Sequence, residues 1–118
     1  SNPYLSIAPM LAVPGLRERL RAAGVPIVAV SPIVGGAAVK GPTAKIMREL
    51  GVPVGADAIA HHYGDLLDGF ILDVRDAALQ GHITVPVHIT DTLMLSAADR
   101  TRVAAETLGF AATLRQSA

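Results

Sequence analysis

A glycine-rich segment with one lysine is the part of this chain best suited to chemistry. Residues 31–43 read SPIVGGAAVKGPT and separate an apolar, β-branched run from a helix-forming run. Glycines permit close backbone approach, and a helix amino terminus and a lysine both attract anions. The pattern predicts a phosphate-binding loop made by Gly35, Gly36, Lys40 and Gly41. A surface loop with incidental glycines and a solvated lysine is the alternative.

The standard nucleotide motifs do not fit this segment. Residues 36–43 nearly match the ATPase phosphate loop, but Pro42 stands where that motif requires lysine. The three spaced glycines of the dinucleotide-binding motif are also absent. The segment therefore predicts phosphate binding without assigning either class of nucleotide enzyme.

Strands and helices alternate along the sequence. The predicted strands are residues 25–30, 52–54, 69–72 and 85–90, and the predicted helices are residues 16–23, 43–50, 57–63 and 75–80, with a last one starting at Ser96. Ser96 and Asp99 form a capping-box pattern for that last helix. The alternation predicts a Rossmann-like α/β domain spanning residues 1–118, with a mostly parallel sheet covered by helices on both faces. Pro86 suits only an edge strand.

Polar residues follow three of the predicted strands. Ser31, Asp73 and the pair Asp91 and Thr92 should therefore share the carboxyl edge of the sheet, where open α/β sheets bind ligands. Asp91 and Thr92 also suit a turn or a helix cap. For Asp73 we expect a solvated carboxylate, which is a poor magnesium ligand without phosphates.

The histidines and the amino-terminal residues each allow two interpretations. His61 and His62 point about 100° apart on a helix, so they do not suit one metal ion. His62 and Tyr63 could hydrogen-bond a ligand, or His62 could pack at the helix end. No nucleophile-elbow motif is present, which disfavours a hydrolase. Small residues at the start of the chain, three of them polar, could cap a helix or bind phosphate: Ser1, Asn2, Pro3 and Ser6.

Composition excludes several kinds of partner. The 118 residues suit one domain, 51% are hydrophobic, and no apolar run is long enough to span a membrane. Ten basic residues balance ten acidic ones, which disfavours a nucleic-acid or membrane-surface partner. The chain has no cysteine, so it contains no disulfide or thiolate metal site, and we expect a cytoplasmic location.

Five blocks of sequence together resemble the 2-phospho-L-lactate transferase family. They are the opening SNP with the following small residues, the segment at 31–42, His62 with Tyr63, GFILD at 69–73, and TDTLM at 90–94. The blocks occur in order over nearly the whole chain. They are similar to the carboxyl-terminal part of a longer transferase, and this chain lacks the glycine-rich nucleotide segment that family members carry near the amino terminus.

The resemblance implies an activity and assigns residues to it. The family builds coenzyme F-420 by moving a phospholactyl or related phosphoacid unit from a guanosine diphosphate-activated donor to the deazaflavin alcohol Fo, with release of GMP. Magnesium is the implied cofactor, and the missing amino-terminal part of the chain is an implied partner. Lys40 would be catalytic. The implied phosphate or nucleotide contacts are Ser1, Asn2, Pro3, Ser6, Gly35, Gly36 and Gly41, and the implied acceptor contacts are His62, Tyr63, Asp91 and Thr92.

Other functions remain open at this point. A non-catalytic regulator that binds nucleotides or sugar nucleotides shares the general fold and a similar phosphate loop. A scaffold or dimerisation piece is a further alternative, and a homodimer is compatible with either. The sequence does not identify the phosphoacid, and by itself this fragment is expected to be inactive.

Overall fold

Three parallel strands form the central sheet of the computed structural model, which describes residues 2–39 and 41–117. The strands are β1 (Val28–Val30), β4 (Gly69–Asp73) and β5 (Val87–Thr90), and they lie in the order β1-β4-β5. In register, Val30 faces Ile71, which in turn faces His88. The predicted α/β class with a parallel sheet is confirmed, and β5 lies at an edge, as Pro86 indicated.

Helices connect and flank these strands. They are α1 (Ala8–Leu11), α2 (Leu16–Ala22), α3 (Thr43–Glu49), α4 (Ala56–His62) and α5 (Ala97–Ser117), with a π-helical turn at Pro3–Ile7 and a 3₁₀ helix at Val74–His82. Gly24 and Gly51 follow α2 and α3 with φ of 72° and 73°, a conformation that favours glycine. The amide of Asp99 donates to Ser96 Oγ at 3.1 Å, which confirms the predicted cap of α5.

Alternation along β4 places its side chains on opposite faces of the sheet. Phe70 and Leu72 are fully buried in a cluster that includes Met47 and Ile59 from α3 and α4. On the other face, a Cβ at Gly69 would lie 2.7 Å from Leu114 and Phe110 of α5. Glycine therefore allows α5 to pack directly against the start of β4, and helices cover both faces as expected.

The glycine-rich segment is more ordered than its composition suggests. β2 (Ile33–Val34) pairs antiparallel with β3 (Ala37–Ala38), and the turn between them has φ of 61° at Gly35 and 78° at Gly36. Two consecutive positive φ values are typical of the tight turn that suits a two-residue hairpin. The segment is thus a short β-hairpin followed by a loop, instead of the continuous glycine loop that we expected.

Two predicted elements differ from the structure. Residues 52–54 form no strand, because the amide of Val52 donates to Met47 O at 2.8 Å to close α3, and Pro53 has no amide to donate. The predicted helix at 75–80 is a 3₁₀ helix with a kink at Asp76. Of the helices in the described ranges, none has the length and apolar content that a membrane crossing needs.

Candidate functional site

A cavity of about 440 Å³ opens at the carboxyl ends of the parallel strands. Three parts of the chain meet there: the amino-terminal turn, the segment from the end of β1 to the start of α3, and the stretch from the end of β5 into α5. The lining residues are Asn2, Leu5, Ser6, Ser31, Pro32, Val34, Val39, Gly41, Pro42, Thr43, Thr92, Met94 and Arg100. The location agrees with the edge that strand order predicted.

Asn2 caps the amino-terminal turn with one side-chain atom and leaves the other without a partner. Its Oδ1 accepts hydrogen bonds from the amides of Tyr4 at 2.9 Å and Leu5 at 3.1 Å. Its Nδ2 is buried and has no hydrogen-bond partner among the described residues. Ser6 lines the cavity beside it, whereas Pro3 is buried in the turn and is not part of the lining. Ser1 lies outside the described residues.

The residues predicted to bind phosphate occupy different places. Gly41 lines the cavity, but Gly35 and Gly36 form the hairpin turn and are not among its lining residues. The amide of Gly35 donates to Asp76 Oδ2 at 3.0 Å, which fastens the hairpin to the 3₁₀ helix. Lys40 lies outside the described residues, and its catalytic role stays a prediction. Its neighbours in the sequence, Val39 and Gly41, both line the cavity.

Asp73 is buried, contrary to the solvated carboxylate that we expected. Its side chain is 0% exposed and accepts from the amide of Arg75 at 2.8 Å, the amide of Thr92 at 2.8 Å and the hydroxyl of Thr92 at 3.0 Å. Burial raises the pKa of Asp73, but these bonds favour the ionised form more strongly, and the net pKa is lowered. All of these partners are protein groups, so Asp73 joins the ends of β4 and β5.

Asp91 and Thr92 separate at the end of β5. Asp91 is exposed, and its Oδ1 accepts from Arg75 Nη1 and from the amide of Leu93, both at 3.0 Å. The hydrogen bond from Arg75 is the main cause of a lowered pKa at Asp91. Asp91 therefore forms a turn and is not among the lining residues. Thr92 is only 4% exposed and lines the cavity. Since Ser96 caps α5, the helix-cap alternative for this pair is wrong.

His62 and Tyr63 lie at the end of α4 and do not line this cavity. The Tyr63 side chain packs in the core, where burial raises its pKa. The His62 ring is exposed and its centre lies 4.3 Å from that of Tyr4. The helix-end packing that we considered for His62 thus describes its surroundings, and acceptor binding by this pair stays a prediction.

Arg100 is a lining residue that we did not identify from the sequence. It lies in the first turns of α5, and its side chain forms no hydrogen bond or ion pair with another described residue. A helix that begins shortly after the carboxyl end of a strand presents its first turns to the ligand edge. The sequence already placed a helix start at Ser96, soon after the last strand, so it indicated that the first turns of α5 face this edge. Arg100 supplies the described part of the cavity with a guanidinium suited to phosphate.

The cavity lacks the ligands that magnesium prefers. Its lining, as far as the structure describes it, contains no carboxylate, and no group of three potential metal ligands occurs among the described residues. Magnesium in proteins is usually held by one or two carboxylates together with substrate phosphates. The residues present can bind an anion and a polar organic ligand, but they do not fit a magnesium site.

Comparisons with known proteins all identify the same family of transferases. The family model described as 2-phospho-L-lactate transferase CofD matches residues 1–108. A phosphoenolpyruvate transferase of Streptomyces griseus is 45% identical over 100 residues, covering 77% of this chain and 31% of the relative. A 2-phospho-L-lactate transferase of Methanocaldococcus jannaschii is 38% identical over 114 residues, covering 97% of this chain and 36% of the relative. The chain thus spans about a third of the length of these relatives.

Proposed function

Because the chain belongs to the 2-phospho-L-lactate transferase CofD family, we propose that it forms part of the active site of such a transferase. The reaction moves a phospholactyl or related phosphoacid unit from a guanosine diphosphate-activated donor to Fo and releases GMP, in coenzyme F-420 biosynthesis. The observation that carries the proposal is the family match over residues 1–108, together with a cavity at the carboxyl edge of the sheet. Relatives named for two different phosphoacids, phosphoenolpyruvate and 2-phospho-L-lactate, leave the transferred acid open.

The chemistry requires a phosphate site and an aligned acceptor hydroxyl. The hydroxyl oxygen of Fo forms a bond to the phosphorus of the phosphoacid, the bond from that phosphorus to the GMP oxygen breaks, and GMP leaves with the electron pair. The hydroxyl proton passes to solvent. In such reactions the protein acts chiefly by positioning and by stabilising negative charge.

The described residues divide between these two tasks. Ser6, Gly41 and Arg100 lie in the lining beside Asn2 and carry O–H or N–H groups suited to the phosphates of the activated substrate. We assign Lys40 to the charge that develops during transfer. Thr92, on the floor at the strand ends, is assigned to the acceptor.

Magnesium remains part of the proposal only through the family. Since no described lining residue is a carboxylate, the ion would need the phosphates of the donor and carboxylates from outside the described residues. We therefore derive no step of the reaction through magnesium.

The test measures GMP release with Fo and an activated donor, in the full-length protein that carries this sequence and in the 118-residue chain alone. We expect turnover by the full-length protein and none by the short chain. Turnover by the purified short chain would show that the other part of the transferase is dispensable. No turnover by the full-length protein, with binding of GDP retained, would favour the nucleotide-binding regulator.

Lys40→Ala tests the catalytic assignment in the same assay. Loss of a preorganised charge opposite the transferred group should slow transfer by about 2–4 kcal/mol in the activation free energy. Lys45→Ala is the matched control, because Lys45 is an exposed lysine of α3 whose one ion pair with a described residue is to Glu49, at 3.9 Å. Equal rates for the two variants would return Lys40 to the solvated alternative.

A further inference from the structure

The hydroxyl of Thr92 donates its one hydrogen bond to another group of the protein. Thr92 Oγ1 donates to Asp73 Oδ2 at 3.0 Å, and the amide of Thr92 donates to the same oxygen at 2.8 Å. An ionised carboxylate can only accept hydrogen bonds, so the hydroxyl must be the donor in this pair. Thr92 at the same time lines the cavity. What its oxygen can offer a ligand is therefore acceptor lone pairs.

Arg75 prevents Asp73 from changing this arrangement. Its Nη1 lies 3.1 Å and 3.0 Å from the two oxygens of Asp73, and its amide donates to Oδ1 at 2.8 Å. The same Nη1 reaches Asp91 Oδ1 at 3.0 Å. With both oxygens bonded and no exposed surface, the carboxylate is held in one orientation. The lowered pKa of Asp73 keeps it ionised at neutral pH.

Ser31 and Thr92 form the floor of the cavity at the strand ends, and the hydroxyl of Ser31 also donates its hydrogen bond within the protein. Ser31 Oγ donates to Ile33 O at 3.3 Å and accepts from the amide of Ile33 at 3.1 Å. Ser31 follows β1 and Thr92 follows β5, so the two lie on either side of Asp73 at the end of β4. By contrast, Arg100 also lines the cavity, its side chain forms no hydrogen bond or ion pair with another described residue, and it carries N–H donors.

We infer that Asp73 is a positioning residue that fixes the Thr92 hydroxyl as a hydrogen-bond acceptor, so that the ligand group lying at Thr92 carries an O–H or N–H donor. A phosphate oxygen only accepts hydrogen bonds, so it is unsuited to Thr92 and Ser31 and belongs beside Arg100. The inference rests on the proposed function for one point, the identification of that ligand group with a polyol hydroxyl of Fo.

Three variants test the inference by calorimetric titration with Fo and with GDP, in the full-length protein. Thr92→Val removes the hydroxyl from a side chain of the same shape and should weaken Fo binding about 3- to 10-fold, the size of one net hydrogen bond. It should leave GDP affinity within about 2-fold. Thr92→Ser should retain Fo binding, because serine can repeat both bonds of the hydroxyl.

Asp73→Asn tests the positioning role itself. The amide Nδ2 can donate to Thr92 Oγ1, which frees the hydroxyl proton to point into the cavity. Fo affinity should then fall about as far as in Thr92→Val, while the hydroxyl group is still present. A role in stability alone would lower the melting temperature and leave the ratio of Fo to GDP affinity unchanged. Since this variant alters a buried carboxylate, the Thr92 pair decides the outcome if Asp73→Asn does not fold.

An NMR measurement on the 118-residue chain separates this inference from the proposed function. The Thr92 hydroxyl proton, held by Asp73, should exchange slowly enough with water to be observed. A hydroxyl proton that exchanges as fast as in a free threonine would overturn the inference. So would a loss of GDP affinity, instead of Fo affinity, in Thr92→Val. If the full-length wild type binds no Fo but the Thr92 hydroxyl proton is observed, Fo is not the acceptor. The inference that the Thr92 hydroxyl acts as a hydrogen-bond acceptor toward a ligand then still holds.

Discussion

The two ends of the parallel sheet both carry a cavity, and the larger one lies at the amino ends of the strands. That cavity has a volume of about 540 Å³ and includes Pro26, Asp68, Pro86 and two arginines, Arg21 and Arg115. The cavity at the carboxyl ends measures about 440 Å³. Volume and the presence of arginine therefore do not distinguish the two ends.

The aspartates at the two ends show the difference more clearly. At the amino ends, Asp68 is exposed, and its Oδ2 accepts one hydrogen bond from the amide of Ile27 at 2.7 Å. At the carboxyl ends, Asp73 is 0% exposed and both of its oxygens are bonded, to Arg75 and Thr92. A desolvated carboxylate with fixed partners holds its neighbours in defined orientations, whereas a solvated one does not. Convergent buried polar groups thus identify the ligand end.

The largest expected effect is on stability at the carboxyl end. Asp73→Asn should lower the free energy of unfolding by about 2–4 kcal/mol, because it removes the charge that Arg75 and two groups of Thr92 address. Asp68→Asn is the matched change at the amino end and should stay within about 0.5 kcal/mol, since asparagine can still accept from Ile27. Urea unfolding of both variants measures the difference. Equal losses would remove the distinction between the two ends.

Binding should separate the two cavities next. Arg100→Ala should weaken GDP affinity about 10- to 100-fold, the range of a hydrogen bond to a charged group. Arg115→Ala removes a guanidinium from the same helix but from the amino-end cavity, and should change GDP affinity less than about 2-fold. Titration of each variant in the full-length protein provides the comparison. Loss of GDP binding in Arg115→Ala, with binding retained in Arg100→Ala, would show that the nucleotide binds at the amino ends of the strands and would contradict our assignment.

Packing dominates the amino end of β4, and a glycine substitution measures it. A Cβ at Gly69 would lie 2.7 Å from side-chain atoms of Leu114 and Phe110, so Gly69→Ala forces these side chains to move and should destabilise the fold by about 1–3 kcal/mol. Gly81→Ala serves as the control, because nothing lies within 4 Å of its Cβ position. Thermal unfolding of the two variants should differ clearly. Similar melting temperatures would show that α5 does not pack on β4 as closely as described.

The smallest effect is the acid dependence of the Asp73 contribution. Because its pKa is lower in the folded state than the unfolded value of about 3.9, Asp73 stabilises the fold fully above that pH. The contribution is lost as the pH falls through the folded-state pKa. The stability difference between wild type and Asp73→Asn should therefore narrow below about pH 4. A stability difference that stays constant from pH 7 to pH 2.5 would mean that ionisation of Asp73 does not contribute to the stability of the fold.

Elements with a strong local signal were predictable from the sequence. The α5 cap at Ser96, the ends of α2 and α3 at Gly24 and Gly51, and the edge position that Pro86 gives β5 all follow from local chemistry. The short strand predicted at 52–54 was wrong. A segment of only three residues, two valines on either side of Pro53, does not reveal whether another strand is available to pair with it.

The candidate site was predictable in position and not in detail. Parallel strand order places Ser31, Asp73 and Thr92 at one edge, and the structure has them there. The burial of Asp73 was not predictable, because it depends on Arg75 and Thr92 closing over the carboxylate from two different elements. The start of α5 shortly after β5 indicated that its first turns face this edge, but which of their side chains lines the cavity depends on how α5 packs across the sheet.

The sequence by itself therefore determined the class of fold, the family and the edge of the sheet at which a ligand can bind, because these depend on local propensity and on the order of motifs along the chain. Only the tertiary structure decided that Asp73 is desolvated and Asp68 is not. It also decided that the hydroxyls of Thr92 and Ser31 donate hydrogen bonds within the protein, and that Arg100 lines the cavity at the strand ends. Those properties depend on distances between residues far apart in the chain, and the pattern of residue types does not contain such distances.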